Sequence, residues 1–211
     1  MSERTMFQRI RDEKRLVVEI MQYRLARLRF RRLPRGDGHV VLVIPAFSVT
    51  DRATWPMRRI LKRVGFVPKG WGLGANRGVT PEVFDALKAR LHALYESSGE
   101  PVSVVGWSLG GVLARMLARD SPDLVRRVIT LGAPYRQAEE ERGLGSLSVP
   151  ATSVYSKSDA VVNWQNATEP ETHLAESVEV RSTHSGLALN PIVIEAVILR
   201  LADPVVIHDL K

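Results

Sequence analysis

The segment that most constrains the fold is a run of five consecutive apolar residues, Val40 to Ile44. A strand with one face in water alternates apolar and polar residues, whereas this run has no alternation and predicts a strand that is buried on both faces. Strands of this kind belong to parallel sheets whose two faces are covered by helices. The run therefore predicts an α/β fold built on a parallel sheet.

Predicted strands and helices alternate along the rest of the chain. Thr80 and Asn190 each stand directly before a proline, which is the pattern of a capping side chain followed by a first-turn residue that needs no amide hydrogen. Besides residues 40–44, the predicted strands are residues 66–71, 102–105, 125–131, 152–155 and 178–180, and the predicted helices are residues 55–63, 80–94, 110–119 and 190–202. This order predicts a mostly parallel sheet of about six strands, flanked by helices and joined by right-handed crossovers.

A basic segment precedes the region of strands and helices. Apolar residues recur every three, four or seven positions from Phe7 to Leu28, which predicts a helix over about residues 5–32. Residues 1–35 contain eleven lysines and arginines and four acids, so this segment carries the whole formal net charge of +7. We therefore predict a basic amphipathic helical arm at residues 1–37 and an α/β domain at residues 38–211.

The arm is a predicted docking element for which three partners are open. Its apolar stripe suits the protein's own core or a second copy of the chain, and its arginines suit an anionic membrane surface. A nucleic-acid partner is disfavoured because aromatic residues do not interleave with the arginines and the rest of the chain has balanced charge. No stretch approaches the ~20 apolar residues of a membrane span, and arginines interrupt the N-terminal segment, so we expect a cytoplasmic protein, with peripheral membrane binding as the alternative.

Residues 106–110, Gly-Trp-Ser-Leu-Gly, fit the G-x-S-x-G pattern between a predicted strand and a predicted helix. That pattern produces a sharp, strained turn that raises one hydroxyl above the end of the sheet, and the flanking glycines leave room for it. Ser108 is therefore the candidate nucleophile, with a tight turn that carries no chemistry as the alternative. The chain contains no cysteine, which excludes a cysteine nucleophile, a disulfide and a thiolate metal site.

A serine nucleophile needs a base to take its proton, and that base needs a partner that fixes its tautomer. Catalytic groups of a parallel α/β sheet lie at the carboxyl ends of its strands. His184 directly follows the last predicted strand, whereas His173 precedes that strand and His208 lies in the C-terminal tail. Asp159 follows the strand before it. We therefore predict a triad of Ser108, His184 and Asp159, with a turn-capping role as the alternative for Asp159.

A tetrahedral intermediate also needs two amide hydrogens directed at its oxyanion. The backbone of Leu109, directly after the nucleophile, is one candidate donor, and the backbone of Phe47, in the turn after the first strand, is the other. Trp107 and Trp164 neighbour the predicted triad and are candidates for a substrate-binding role at an acyl site, with plain core packing as the alternative.

Together these segments resemble the α/β-hydrolase superfamily, in particular its small lipase-like and esterase-like bacterial members. The matching segments are residues 44–47, 70–74, 106–111, 159–164 and 184–187, so the resemblance covers about residues 39–202. It implies that residues 38–211 form a catalytic domain that acts through an acyl-enzyme, without a metal ion or an organic cofactor. One departure is the Pro45-Ala46 pair at a turn that usually carries His-Gly or Pro-Gly. The other is the short stretch at residues 132–148, where many members insert a cap domain, and it predicts an open cleft.

The triad and the resemblance together predict a serine hydrolase that cleaves small-molecule carboxylic esters. A thioesterase or an acyltransferase would use the same residues, since only the leaving group or the acceptor differs. A different class of function is also open, in which a catalytically silent α/β domain is recruited to a membrane or a protein partner by its basic arm.

Overall fold

The apolar run at residues 40–44 forms a strand in which every residue is buried, as predicted. The computed structural model describes residues 18, 20, 21, 23, 30, 32–170 and 172–203. The strands are β1 (Val40–Ile44), β2 (Val67–Gly70), β3 (Val102–Trp107), β4 (Val125–Leu131), β5 (Ala151–Tyr155) and β6 (Ala175–Glu179). All of them pair in parallel, in the spatial order β2-β1-β3-β4-β5-β6. The prediction of a mostly parallel sheet of about six strands is therefore confirmed.

Strand β6, at one edge of the sheet, departs most from the predicted strands. Strand β6 begins at Ala175, three residues before the predicted strand at 178–180, so the predicted start is wrong. Its first residues include Glu176 and Ser177, because an edge strand has contact with water and does not need a continuous apolar run. Strand β2 contains Pro68, which an edge strand tolerates because one of its sides makes no ladder hydrogen bonds.

Helices join the strands of the sheet. They are α1 (Asp51–Val64), α2 (Pro81–Ser98), α3 (Leu109–Asp120), α4 (Arg136–Glu141) and α5 (Pro191–Ala202). Thr80 and Asn190 accept hydrogen bonds from amides in the first turns of α2 and α5, so both predicted caps are present. Helix α4 was not predicted, because its short and polar sequence has no apolar stripe. No helix within the described residues has the length and apolar character that a membrane crossing requires.

Side chains from the two faces of β1 enter two separate hydrophobic cores. Val41 and Val43 belong to the core that contains α1 and α5, whereas Leu42 and Ile44 belong to the core that contains α2 and α3. Helices therefore cover both faces of the sheet, which explains why the sequence of β1 shows no polar alternation. Each fully buried valine, leucine or isoleucine of these cores contributes about 1.5–3 kcal/mol relative to an exposed one.

Only part of the predicted arm at residues 1–37 lies within the described residues. Residues 18, 20, 21 and 23 have helical backbone. The Tyr23 hydroxyl donates a hydrogen bond to the Pro56 carbonyl of α1 at 3.0 Å, and Phe30 is buried in the core beside α1 and α5. The arm thus contacts the protein's own core at two aromatic side chains, while Met21 is 59% exposed. The membrane and self-association partners predicted for residues 5–32 stay predictions, as does the division at residue 37.

A buried ion cluster joins α3 to α4 and to the segment between β5 and β6. Arg115 of α3 donates to both carboxylate oxygens of Glu139 at 2.8 and 2.7 Å, and it also contacts the buried Glu169 carboxylate. Its guanidinium lies over the ring of Tyr135, 3.8 Å from the centroid. Burial lowers the pKa of Arg115, but the hydrogen bonds that it donates to Glu139 and the charge of Glu169 outweigh this effect and raise the pKa.

A second polar cluster lies at the amino ends of the central strands. The His39 imidazole is hydrogen-bonded through Nδ1 to Asp37 and through Nε2 to the Ser103 hydroxyl of β3, the latter at 2.9 Å. Burial lowers the pKa of His39, the hydrogen bond to Asp37 opposes this shift, and the charge of Arg126 adds to it. Burial raises the pKa of Asp37, but the hydrogen bonds from His39 outweigh it and the pKa falls to about 2. Ser103 is fully buried, so this arrangement is closed to a substrate.

Candidate active site

Ser108 occupies the turn between β3 and α3 with φ 53° and ψ −123°. A non-glycine residue at positive φ is strained, and strain of this kind collects at functional sites. A Cβ atom at Gly106 would lie 2.2 Å from the carbonyl oxygen of Gly110, and a Cβ at Gly110 would lie 2.5 Å from the carbonyl oxygen of Ile44. The two glycines therefore allow α3 to start in contact with β3 and β1. This is the strand-to-helix turn that the G-x-S-x-G pattern predicts.

The structure brings Ser108, His184 and Asp159 together from three separate loops. The Ser108 hydroxyl lies 3.0 Å from His184 Nε2, and His184 Nδ1 lies 2.7 Å from Asp159 Oδ2. An ionised carboxylate only accepts hydrogen bonds, so His184 carries its proton on Nδ1 and presents an unprotonated Nε2 to the serine. Asp159 is buried and the His184 ring is mostly buried. The arrangement can move a proton from the serine to the imidazole.

Backbone amides orient the Asp159 carboxylate. Its Oδ1 atom accepts hydrogen bonds from the N–H groups of Val161 and Val162 at 2.8 and 2.9 Å. Its other oxygen, Oδ2, is thereby turned toward His184. The capping role that the sequence left as an alternative for Asp159 is therefore present together with the contact to the histidine.

Ser156 links the loop of the acid to the loop of the histidine, and the sequence reasoning missed it. Its hydroxyl donates to the Ser182 carbonyl at 2.7 Å and accepts from the Ser182 and Ser158 amides at 3.1 Å. The side chain is buried, Ser156 stands three residues before Asp159, and its partner Ser182 stands two residues before His184. A serine at the end of a strand carries no distinctive pattern, so only the tertiary contact reveals this role.

The two predicted substrate-binding tryptophans have different surroundings. Trp107 is buried and its indole N–H donates to the His184 carbonyl at 3.1 Å, so it supports the loop of the histidine. Trp164 is partly exposed and stacks on Tyr155 with a centroid distance of 5.7 Å, while the Lys157 ammonium lies over its ring. A role for either tryptophan in binding substrate stays a prediction.

The two predicted oxyanion donors, the N–H groups of Phe47 and Leu109, have no hydrogen-bond acceptor within the described part of the chain. Leu109 is the first residue of α3, where the helix dipole favours negative charge. The turn that carries Phe47 packs on the start of α3, because a Cβ at Gly110 would lie 2.6 Å from the Pro45 carbonyl oxygen. Both N–H groups are thus free to bind an external acceptor.

The connection between β4 and β5 contains helix α4 and no cap domain. Of the other histidines weighed in the sequence, His173 is exposed before β6, and His208 lies outside the described residues. The described residues contain no group of three or more histidine, aspartate or glutamate side chains placed to hold a metal ion.

Comparisons with known proteins agree with this architecture. The sequence model of the Alpha/beta hydrolase family matches residues 88–187. A predicted CIB-like hydrolase of Thermoplasma acidophilum has a similar structure, with TM-score 0.61 and 14% identity over 78% of this chain and 86% of that one. A lipase-esterase related protein of Clostridium acetobutylicum has TM-score 0.61 and 10% identity over 80% and 97%. An alpha-beta serine hydrolase homologue of Coxiella burnetii has TM-score 0.58 and 19% identity over 79% and 88%. No curated protein matches the chain.

The parallel sheet and the serine turn at the carboxyl end of β3 are features of the α/β-hydrolase fold. The family match spans the turn and the loops of both the acid and the histidine. The chain therefore has the α/β-hydrolase fold, and its residues 88–187 are similar in sequence to that family.

Proposed function

We propose that this protein is a serine hydrolase that cleaves carboxylic esters through an acyl-enzyme. The observation that carries the proposal is the continuous hydrogen-bond relay from Ser108 through His184 to Asp159, with distances of 3.0 and 2.7 Å. A serine hydroxyl is a weak nucleophile at neutral pH, and a histidine held by a carboxylate is the arrangement that activates it. The strained backbone of Ser108 and the two unpaired N–H groups support the same assignment.

Acylation begins when the Ser108 oxygen attacks the carbonyl carbon of the ester while its proton passes to His184 Nε2. Asp159 stabilises the imidazolium that forms and keeps the ring oriented. The carbonyl oxygen becomes an oxyanion, which accepts hydrogen bonds from the N–H groups of Phe47 and Leu109. When the tetrahedral intermediate collapses, the ester C–O bond breaks and the alcohol leaves with the proton from His184.

Deacylation repeats these steps with water. His184 takes a proton from a water molecule, which attacks the acyl carbon, and the same two N–H groups bind the second oxyanion. Collapse of this intermediate breaks the bond to Ser108, returns the proton to its oxygen and releases a carboxylic acid. Every proton transfer in the scheme uses a group of the triad.

Small esters with apolar acyl groups suit the surface beside the triad. The side chain of Phe47 is 60% exposed and that of Val161, two residues after the acid, is 72% exposed. Because no cap domain is inserted between β4 and β5, we expect these side chains to form an apolar rim to the site. We therefore expect turnover to be faster for soluble short- and medium-chain esters than for charged ones.

A fluorophosphonate probe tests the nucleophile. We expect the wild type and a Ser98→Ala control, which changes an exposed serine at the end of α2, to gain the mass of one probe. Ser108→Ala should gain none and should lose hydrolysis of p-nitrophenyl butyrate. Equal labelling of Ser108→Ala, or an unlabelled wild type, would refute the proposal. Comparing the oxygen ester and the thioester of one acyl group then shows which leaving group the enzyme prefers.

A further inference from the structure

Asn76 is a fully buried asparagine in the loop after β2, and the proposed reaction does not use it. Its side-chain amide donates a hydrogen bond to the Pro45 carbonyl at 2.8 Å. Its side-chain oxygen accepts a hydrogen bond from the Gly78 amide at 3.1 Å. A buried amide side chain that is satisfied on both sides holds one orientation, because any rotation would leave a polar group without a partner.

The backbone of Asn76 holds the same part of the chain as its side chain. Its N–H donates to the Val49 carbonyl at 3.0 Å, and its carbonyl accepts from the Ser48 N–H at 2.7 Å. Ser48 has a positive φ of 65°, so the turn at residues 45–49 is strained and needs outside contacts to keep its shape. Three of the four hydrogen bonds of Asn76 supply such contacts.

The side-chain contact of Asn76 lies one peptide before the group that carries the predicted oxyanion donor. A peptide group is planar, so the carbonyl of Ala46 and the N–H of Phe47 point in opposite directions within one plane. The Ala46 carbonyl accepts from the Val49 N–H at 3.4 Å, which is a long hydrogen bond. The neighbouring peptide, which contains the Pro45 carbonyl, has the shorter contact with Asn76. Asn76 therefore holds the peptide next to the one that carries the Phe47 N–H, whose own hydrogen bond within the turn is long.

We propose that Asn76 is a positioning residue of the hydrolase, which holds the turn at residues 45–49 so that the Phe47 N–H faces the oxyanion formed at Ser108. This inference rests on the proposed function. It assigns Asn76 no contact with substrate, because the side chain is fully buried. Loss of its amide donor should impair stabilisation of the transition state and leave substrate binding nearly unchanged.

Two substitutions test the role. Asn76→Asp keeps the shape of the side chain but replaces the donor with an oxygen that faces the Pro45 carbonyl. Asn76→Ser shortens the side chain, so that it no longer reaches this carbonyl, and adds no charge. Ser103→Ala is the matched control, since it removes a different buried side-chain hydrogen bond at the opposite end of the sheet. The kcat for p-nitrophenyl butyrate is expressed per fluorophosphonate-labelled Ser108, so that unfolded molecules do not contribute, and KM is taken from the same kinetics.

We expect both Asn76 variants to lose about 10- to 100-fold in kcat, because a misdirected donor forfeits part of the ~100- to 1,000-fold that one oxyanion donor supplies. KM should change less than about twofold, and the inhibition constant of a boronic acid, which mimics the tetrahedral intermediate, should rise with the loss in kcat. The Ser103→Ala control should keep its kcat. Normal kcat and boronate affinity in both Asn76 variants would refute the role of Asn76 alone, whereas a wild type that takes up no probe would refute the serine hydrolase itself.

Discussion

Gly132→Ala should disturb the hydrogen bond between Asp159 and His184 in the proposed catalytic relay. Gly132 follows β4 directly, with φ +55°, and a Cβ atom there would lie 3.0 Å from Asp159 Oδ2 and 3.5 Å from His184 Nδ1. These two atoms form the hydrogen bond between the acid and the base. The same Cβ would lie 2.5 Å from Leu187 Cδ1, in the packed core. An added methyl group must therefore move the Leu187 side chain and press on the carboxylate.

The expected size of the effect follows from these contacts. An alanine in a left-handed conformation costs about 1–2 kcal/mol, and overpacking at Leu187 costs about 1–3 kcal/mol more. A displacement of the acid by several tenths of an ångström should lower kcat about 4- to 10-fold, since a shift of ~1 Å at a catalytic group costs about 100-fold. We therefore expect Gly132→Ala to fold with reduced stability and to lose most of its esterase turnover.

Gly99→Ala is the control for this experiment. Gly99 also has a left-handed φ, +72°, but a Cβ there meets no atom within 4 Å. It should lose only the ~1–2 kcal/mol of backbone strain and keep its kcat. Urea unfolding and p-nitrophenyl butyrate kinetics, with kcat per labelled Ser108, measure both quantities. A folded Gly132→Ala protein with kcat within twofold of the wild type would refute the argument.

Three further substitutions test other contacts. Asp159→Asn should lower kcat about 10,000-fold, as expected when the catalytic histidine takes the wrong tautomer, and a loss below tenfold would contradict its role. The pKa of His39 is lowered in the folded state, so the unfolded state binds the proton first as the pH falls below ~6.5, and the free energy of unfolding should drop by up to ~1.4 kcal/mol per pH unit. His39→Gln should abolish this drop in urea titrations. His92→Gln, which changes an exposed histidine, should keep it. Arg115→Met leaves the buried Glu169 carboxylate without its cation and should cost about 3–5 kcal/mol in the same titrations, whereas a cost below ~1 kcal/mol would show that the ion cluster contributes little.

Local sequence patterns were enough to predict most of the central sheet. Strand β1 and helix α2 have strong patterns, an unbroken apolar run and a capped apolar stripe, so their type follows from neighbouring residues alone. The start of β6 and helix α4 were missed because their residues are polar and their structure depends on contacts with distant segments. Glu139 of α4, for example, is paired with the buried Arg115 of α3.

Local features of the sequence were sufficient to predict the turn at Ser108 and the order of the candidate triad, because the glycines around Ser108 and the positions of Asp159 and His184 after strands can be recognised from neighbouring residues. The side chains that hold those groups in place could not be recognised in this way. Ser156 and Asn76 act on residues 26 and 31 positions away, and no local pattern marks a hydrogen bond of that kind. Such contacts exist only after the sheet has brought the ends of its strands together, so their partners are chosen by the fold.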